Sequence, residues 1–241
     1  MAQGMRWLGP PGSEPRFPDP STALAWPNGL LAAGGDLSPE RLLAAYRLGI
    51  FPWYETGQPI LWWCPDPRAV IFPGDLHVAR RLRRSLAHQP FEASFDGDFA
   101  AVVAGCARLD DTVTGTWITP EMRAAYARLH ALGHAHSVEV WRDDTLVGGL
   151  YGVAVGRAFF AESMFSRAPN ASKAAMVFLA RELRAREFAV IDCQLPSRHL
   201  ATMGAVEIPR REFLSLLAPS VDRPPAGLAD WSRERSVVRH G

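Results

Sequence analysis

Residues 136–194 read HSVEVWRDDTLVGGLYGVAVGRAFFAESMFSRAPNASKAAMVFLARELRAREFAVIDCQ, and this stretch decides the fold. Its first half predicts three strands joined by tight turns, at His136–Arg142, Leu146–Val155 and Ala158–Phe165. A helix capped by Asn170 then runs to about Arg186, and a short buried strand follows at Ala189–Gln194. An antiparallel meander followed by a helix and another strand predicts an α+β domain around a mixed sheet.

Helix start signals lie upstream of this region. Ser38-Pro39-Glu40 and Thr119-Pro120-Glu121 each place a hydroxyl N-cap before a proline and an acidic residue, which predicts two helices that end at the next glycines. Another helix is expected at about Val78–His88, because Leu82 and Leu86 fall on one stripe. The proline- and aromatic-rich segment before that helix excludes a long helix there and predicts a short strand at its end.

The composition is that of a folded globular protein. Of 241 residues, 48% are hydrophobic and 21% charged, which excludes a disordered or coiled-coil chain. No apolar run is long enough to span a bilayer and residues 1–16 hold no apolar signal segment, so we expect a cytoplasmic protein that does not enter a membrane. Residues 1–16 are expected to form a flexible leader and residues 218–241 an irregular tail.

Familiar catalytic and metal-binding motifs are absent from the sequence. It contains no GxxxxGKS/T phosphate loop, no GxSxG elbow and no HExxH zinc motif. His134 and His136 share a strand face, but no second pair of ligands is close in the sequence, so we expect no metal site. The three cysteines are odd in number and widely spaced, which argues against a disulfide framework.

Two groups of polar side chains could carry chemistry. Asp192 and Gln194 lie two residues apart at the end of a buried strand, so they are expected on one face, where an acid and an amide could orient a substrate. The alternative is that Asp192 caps the following loop. Glu162 lies among phenylalanines and methionine, where a carboxylate needs a partner or a function. The alternative for Glu162 is an outward position on an edge strand.

Aromatic and basic residues point to an RNA-linked substrate. Trp53 and Trp117 stand in a loop and before a helix, which suits a stacking platform, whereas Trp62 and Trp63 are expected in the core. Four arginines project from the helix at about 78–88: Arg80, Arg81, Arg83 and Arg84. Such a run is usually a solvated face, but an arginine cluster near exposed aromatics is also what a nucleic-acid strand requires.

The same segments match a known family in order and without large gaps. They read PNGLLAAGGDLSPERLLAAYRLGIFPW (27–53), PILWWCPDPRAV (59–70), GTWITPEM (115–122), LGHAHSVEVW (132–141), GGLYGVAVG (148–156), ESMFSR (162–167), NASKAAM (170–176), IDCQ (191–194) and GAVEIPRREF (204–213). Over roughly residues 17–217, the chain resembles the leucyl/phenylalanyl-tRNA–protein transferases. Runs this long and numerous are far more specific than one short motif.

The resemblance implies an architecture of two domains. A small N-terminal α+β domain would occupy residues 17–68. A larger N-acetyltransferase-like domain would occupy residues 69–217, with a mixed, mainly antiparallel sheet flanked by helices. Where a coenzyme A enzyme carries a glycine-rich pyrophosphate loop, this chain has FSRAPNASK (165–173), so coenzyme A is not expected.

The resemblance also implies an activity. The family transfers leucine or phenylalanine, and methionine less well, from aminoacyl-tRNA to the α-amine of proteins that begin with Arg or Lys, in N-end rule protein degradation. The amine attacks the aminoacyl ester and the ribose hydroxyl leaves, so neither ATP nor a metal or other cofactor is required. A monomer is expected. An acetyl-coenzyme A N-acetyltransferase and a non-enzymatic RNA-binding module are the alternatives.

Residue roles follow from the matched motifs. Asp192 and Gln194 would form the catalytic pair, with Gln194 contacting the amine and Asp192 orienting or polarising it. Glu162 would bind the acceptor's N-terminal Arg or Lys. The 3′-terminal adenosine would lie on Trp53 and Trp117, with Tyr126 nearby. The aminoacyl side chain would enter an apolar pocket formed by Leu150, Phe159, Met164, Met176, Leu179, Leu183 and Ile191. The acceptor-stem phosphates would meet Arg80, Arg81, Arg83 and Arg84. The role of Lys173, the lone lysine, stays open.

Overall fold

The computed structural model describes residues 5–88, 90–110, 118–226, 231 and 233–238. The strands in this part of the chain are β1 Arg6–Leu8, β2 Leu30–Gly34, β3 Phe51–Pro52, β4 Leu61–Trp63, β5 Arg68–Ile71, β6 Glu92–Phe95, β7 Ala135–Arg142, β8 Thr145–Val155, β9 Ala158–Ser166, β10 Val190–Gln194, β11 Val206–Ile208 and β12 Arg233–Val237. The α-helices are α1 Pro39–Arg47, α2 Arg80–His88, α3 Phe99–Asp110, α4 Pro120–Ala131, α5 Ala171–Ala185, α6 Arg198–Ala201 and α7 Arg210–Val221.

The strands form two mixed sheets. The larger has the order β11-β5-β10-β9-β8-β7-β6-β12, and its described pairs are antiparallel except for β9 with β10. The smaller has the order β1-β2-β4-β3, with β1 and β2 parallel. Helices pack against these sheets, so the predicted α+β class with a mainly antiparallel mixed sheet is confirmed. The predicted boundary between domains at residue 68 stays a prediction.

The predicted meander is confirmed strand by strand. Val138 of β7 lies opposite Leu150 of β8, which in turn lies opposite Met164 of β9. Strand β10 then returns beside β9 in parallel, after helix α5. Asn170 does occupy the N-cap of α5, but its φ is 69° and its side chain makes no capping bond. Its amide instead donates to Ser85 Oγ at 3.2 Å, which ties α5 to α2.

The two helices predicted from capping signatures are also confirmed. Ser38 accepts a hydrogen bond from the Arg41 amide, and Thr119 accepts one from the Met122 amide. These bonds satisfy amides that have no partner inside the first turn of a helix. Because both starts are fixed, α1 and α4 present their tyrosines, Tyr46 and Tyr126, to the core.

Two hydrophobic clusters lie on opposite faces of the large sheet. Phe160 belongs to the cluster that includes residues of α1, α3 and α4, whereas Phe159 belongs to the cluster that includes residues of α2 and α5. Successive side chains of a strand point to opposite faces, which accounts for this division. Trp62 of the small sheet belongs to the first cluster, so one core runs beneath both sheets.

The expected flexible leader and irregular tail are wrong for the described residues at both ends. Arg6–Leu8 form β1 and pair with β2, and Arg233–Val237 form β12 and pair with β6. Trp231 is 7% exposed and stacks on His136 with ring centroids 4.0 Å apart. Neither segment has a local hydrophobic period, so the sequence shows no sign of a strand there. Pairing with distant strands orders both segments, and the buried Trp231 ring also holds the C-terminal one.

No helix in the described part of the chain is both long and apolar enough to cross a bilayer.

Candidate active site

Three segments that are distant in sequence meet at one cleft. Its wall consists of Phe51, Pro52 and Trp53 at the end of β3, Glu162 of β9, and Cys193, Gln194 and Leu195 at the end of β10. The cavity volume is about 280 Å³. The structure therefore brings together Trp53, Glu162 and Gln194, three of the residues that the sequence analysis selected.

Glu162 is held by two tyrosine hydroxyls. Tyr46 donates to Oε1 at 2.8 Å, and Tyr126 donates to Oε2 at 2.7 Å. The two hydroxyl oxygens are themselves 2.5 Å apart. Glu162 and the two tyrosine hydroxyls thus form a cycle of three oxygen–oxygen contacts. The two hydroxyl protons can supply hydrogen bonds for only two of these contacts, and a proton on Glu162 would supply the third. The alternative of an outward edge position is wrong, because β9 is flanked by β8 and β10.

The pKa of Glu162 is raised to about 7. Burial is the largest cause and the Asp192 carboxylate adds to it, while the hydrogen bonds from Tyr126 and Tyr46 and the charge of Arg68 oppose it. A carboxylate lining a cleft with a pKa near neutrality is typical of a functional site. Near pH 7, Glu162 therefore exists in both protonation states.

Tyr126 does not lie where an adenosine could stack. Its ring is fully buried, and its hydroxyl contacts Tyr46 and Glu162. The predicted adenosine contact of Tyr126 is therefore corrected, because no face of the ring is open. The structure gives it the role of a partner to Glu162.

Asp192 lies behind the cleft, in a buried ion pair. Both its carboxylate oxygens accept from Arg68, from Nε at 2.7 Å and from Nη2 at 2.6 Å, and both side chains are fully buried. Burial acts to lower the pKa of Arg68. The charge of Asp192 and its hydrogen bonds act in the opposite direction, and the pKa of Arg68 is raised overall. Asp192 is thus buried and hydrogen-bonded, and its predicted role in orienting or polarising the groups that react stays a prediction.

Gln194 faces the cleft because a bulge interrupts β10. The register against β5 shifts between Asp192 and Gln194, and the φ of Gln194 is 58°. The two side chains therefore do not share one strand face as the spacing predicted. The Gln194 backbone N–H donates to Asp192 Oδ1 at 3.0 Å, as expected from the alternative in which Asp192 caps the following loop. The Gln194 side-chain nitrogen is buried without a hydrogen-bond partner among the described residues.

Trp53 and Trp62 divide as the sequence predicted, whereas Trp63, also expected in the core, is only partly buried at its edge. Trp53 is 42% exposed on the cleft wall and packs edge-on against Trp63, with centroids 5.6 Å apart. Trp62 is fully buried and donates from Nε1 to the Gly34 carbonyl. Trp117 lies outside the described residues, so its predicted role stays a prediction.

The residues of the predicted aminoacyl pocket lie in the hydrophobic cluster that includes residues of α2 and α5. Six of the pocket residues are at most 1% exposed in this cluster: Leu150, Phe159, Met176, Leu179, Leu183 and Ile191. Met164 is partly buried and packs against that cluster. These seven side chains are not on the wall of the cleft that holds Glu162. In this structure they are packed core residues, so the pocket is corrected to a closed cluster, and its opening to an aminoacyl group stays a prediction.

The arginine helix is exposed as predicted. Arg80, Arg81, Arg83 and Arg84 all face solvent on α2, while Leu82 and Leu86 are buried. Within the described residues, none of the four forms an ion pair; Arg83 donates to the Val78 carbonyl at 3.0 Å. Lys173 lies 3.4 Å from Thr202 Oγ1 and is not on the cleft wall.

No cluster of His, Cys, Asp and Glu in the described ranges could hold a metal ion. His136, one of the two histidines considered above, is buried and lies 2.8 Å from an Asp96 carboxylate oxygen.

Sequence reasoning missed Arg68, Tyr46 and the aromatic rings around Arg68. Its guanidinium lies over the Phe51 ring at 4.9 Å and the Phe213 ring at 4.6 Å. The available signal was weak: a charged residue at the start of a predicted buried strand, and a tyrosine on the apolar face of a capped helix.

The cleft has the make-up of a group-transfer enzyme. It combines an exposed indole for stacking, a carboxylate that titrates near neutrality and a side-chain amide with an unused donor. Such groups can hold an aromatic carrier, a cationic amine and a polarised carbonyl side by side.

Comparison with known proteins assigns the family. The model of the leucyl/phenylalanyl-tRNA protein transferase family matches residues 70–218, and that of its N-terminal domain matches residues 35–66. The chain is 59% identical to the leucyl/phenylalanyl-tRNA–protein transferase of Stutzerimonas stutzeri, over 89% of this chain and 94% of that one. It is 56% identical to that of Aromatoleum aromaticum, over 96% of each. The chain therefore belongs to the leucyl/phenylalanyl-tRNA–protein transferase family, and the resemblance found in the sequence is confirmed.

A solved structure is also similar. The DUF2156 C-terminal domain of an Agrobacterium fabrum protein gives a TM-score of 0.38 at 11% identity, over 78% of this chain and 58% of that one. A TM-score this low establishes no common fold or function.

Proposed function

We propose that this enzyme transfers leucine or phenylalanine, and methionine less well, from aminoacyl-tRNA to the α-amine of proteins that begin with Arg or Lys. The observation that carries the proposal is the cleft that unites Trp53, Glu162 and Gln194 in a chain of this family. The reaction is aminolysis of an ester: the C–N bond forms, the bond from the carbonyl carbon to the ribose oxygen breaks, and the amine proton ends on the released ribose hydroxyl.

Glu162 would bind the acceptor. Its ionised carboxylate suits the guanidinium of an N-terminal Arg or the ammonium of an N-terminal Lys. Tyr46 and Tyr126 fix the orientation of the Glu162 carboxylate, so the cationic side chain of the protein substrate would meet a carboxylate that is already positioned.

Gln194 would touch the reacting groups. Its unpartnered side-chain nitrogen can donate to the ester carbonyl, whose oxygen gains negative charge when the amine attacks. Asp192 belongs to the machinery through its bond to the Gln194 backbone rather than through contact with the substrate.

The tRNA would contact exposed aromatic and basic side chains. Trp53 would stack on the 3′-terminal adenosine, with Trp117 as its predicted companion. Arg80, Arg81, Arg83 and Arg84 would meet the acceptor-stem phosphates, which needs no sequence reading. The closed apolar cluster around Leu150 and Met176 would open to receive the aminoacyl side chain.

The cellular setting is part of the proposal. We propose that the enzyme acts as a monomer in the cytoplasm, without a cofactor, and supplies substrates to N-end rule degradation.

The decisive experiment is transfer of labelled leucine. The purified enzyme is incubated with leucyl-tRNA and a peptide that begins with Arg, beside matched peptides that begin with Lys or Asp. We expect label in the Arg and Lys peptides and little in the Asp peptide. Binding of leucyl-tRNA without transfer would indicate an RNA-binding module, and acetylation of the peptide from acetyl-coenzyme A would indicate an acetyltransferase. Either result would refute the proposal.

A further inference from the structure

A buried arginine stands where three parts of the fold meet. Arg68 begins β5, and its guanidinium lies between the rings of Phe51 from β3 and Phe213 from α7. The residue is fully buried, and its Nη1 has no hydrogen-bond partner among the described residues. A charge in such a place is retained only if its partner is held well.

The partner links this charge to the cleft. Asp192 Oδ1 accepts from Arg68 Nε at 2.7 Å and also from the Gln194 amide N–H at 3.0 Å. One oxygen atom therefore joins the buried arginine to the backbone of the residue that faces the substrate. Gln194 has a φ of 58°, which a residue with a side chain adopts only when its surroundings fix it.

We propose that Arg68 is a positioning residue: through Asp192 it holds Gln194 in its left-handed conformation and so keeps Gln194 on the cleft wall. In this arrangement Asp192 is a rigid bridge and does not accept the amine proton. The inference rests on the proposed transfer reaction and deepens it.

The burial of the pair excludes Asp192 as a base. Both carboxylate oxygens are bound to Arg68, and the side chain has no exposed surface. The proton acceptor must therefore be the leaving ribose oxygen, water or another group on the cleft wall.

The first test replaces the ion pair with a neutral pair. Arg68→Gln and Asp192→Asn each leave one buried charge alone, so each should lower kcat in single-turnover transfer by about 10- to 100-fold. In the double variant, two amides replace the ion pair, and the oxygen at position 192 can still accept from Gln194. We expect the double variant to recover at least about tenfold over Asp192→Asn. A double variant no faster than Asp192→Asn overturns the proposal, because both lack the carboxylate that a base would need.

The second test keeps the charge and so protects folding. A lysine in Arg68→Lys cannot form the bidentate hydrogen bonds to Asp192, so kcat should fall about tenfold. The KM for leucyl-tRNA should change by no more than about twofold. In a Gln194→Ala background the same substitution should have almost no further effect, because the group that Arg68 positions is gone. Equal losses in both backgrounds overturn the proposal.

A matched control uses another buried arginine that contacts a carboxylate. Arg41 is 1% exposed and lies 3.3 Å from an Asp36 oxygen, away from the cleft wall. Arg41→Lys should lower the melting temperature and leave kcat unchanged; a tenfold fall in kcat would show that any loosened buried pair has this effect and would overturn the proposal. A wild-type enzyme that transfers no leucine would instead refute the proposed function, and this inference with it.

Discussion

At the scale of single residues, two neighbouring tryptophans should respond oppositely to truncation. Trp53 is 42% exposed and Trp62 fully buried, although both lie in the aromatic segment near the small sheet. Stacking of a base on an indole is worth about 1–3 kcal/mol, so Trp53→Ala should raise the KM for leucyl-tRNA about tenfold or more and hardly change the melting temperature.

Trp62→Ala is the control for that experiment. Removing a large buried ring costs about 3–5 kcal/mol, so this variant should lose stability before it loses substrate affinity. Measuring melting and KM on the same samples separates the two effects. A sharp fall in the melting temperature of Trp53→Ala would show that this ring is part of the core and would remove it from the adenosine site.

Glu162 should make the stability of the protein depend on pH. Its pKa is raised from 4.5 to about 7 in the folded chain, mainly by burial. Between these values the folded state binds more protons than the unfolded state, so this residue lowers the free energy of unfolding as the pH rises. Glu162→Gln removes that dependence. Relative to the wild type, the variant should gain about 1–3 kcal/mol between pH 4.5 and 7, and no more above pH 7.

Chemical denaturation at pH 5 and pH 8 measures this difference. Glu55→Gln, which removes an exposed carboxylate, is the matched control. Glu162→Gln should also raise the KM for the Arg-initiated peptide. The Glu162 carboxylate would then favour substrate binding while it lowers the stability of the fold. A difference between Glu162→Gln and the wild type that stays constant from pH 5 to pH 8 would contradict the raised pKa.

At the scale of secondary-structure elements, local signals predicted what local interactions determine. The caps at Ser38 and Thr119 and the alternation of the meander depend on residues a few positions apart, and they are confirmed. The bulge in β10 depends on its pairing with β5, more than a hundred residues away in sequence, so spacing alone placed Asp192 and Gln194 on one face in error.

Helix α2 offers a test that concerns the element as a whole. Arg80 and Arg84 are exposed and form no ion pair within the described residues, so both are free to meet phosphates. Changing both to alanine should raise the KM for leucyl-tRNA and reduce the slope of log affinity against log salt by about 1–2, since each phosphate contact contributes about 0.7–0.9. Arg184→Ala, at the exposed end of α5, is the control for loss of charge. An unchanged salt slope would leave α2 as a solvated face.

At the scale of the whole molecule, the candidate site was predictable only in part. Trp53, Glu162 and Gln194 were chosen from the sequence and lie together in the cleft. Arg68 and Tyr46 were not chosen, because their partners are distant in sequence: Asp192 lies 124 residues after Arg68, and Glu162 lies 116 residues after Tyr46. Burial also reassigns one residue: Tyr126 was expected at the adenosine, but its hydroxyl donates to Glu162 on the cleft wall.

The C-terminal segment should stabilise the protein without serving the reaction. Trp231 lies beyond residues 70–218 that match the family model, and it packs on His136, on the edges of Phe95 and Phe188, and beneath Arg186. The following strand, β12, forms the edge of the large sheet, whereas the cleft lies toward the opposite edge, at β9 and β10. The Trp231 ring also lies 6.1 Å from the ring of Phe159 on β9. Phe159 belongs to the cluster on the sheet face opposite Tyr46 and Tyr126, the tyrosines that hold Glu162. Damage to the packing of Trp231 should therefore reach that cluster before it reaches the cleft.

Trp231→Ala should lower the free energy of unfolding by about 3–5 kcal/mol, as expected for a large buried ring. For a chain of this size that corresponds to a fall of roughly 6–20 °C in the melting temperature. Well below that temperature, kcat and the KM for leucyl-tRNA should match the wild type. Trp26→Ala is the control, because Trp26 is 88% exposed and should change neither quantity. A loss of kcat in Trp231→Ala at a temperature where the variant is fully folded would contradict this division, since it would couple the far edge of the sheet to the cleft.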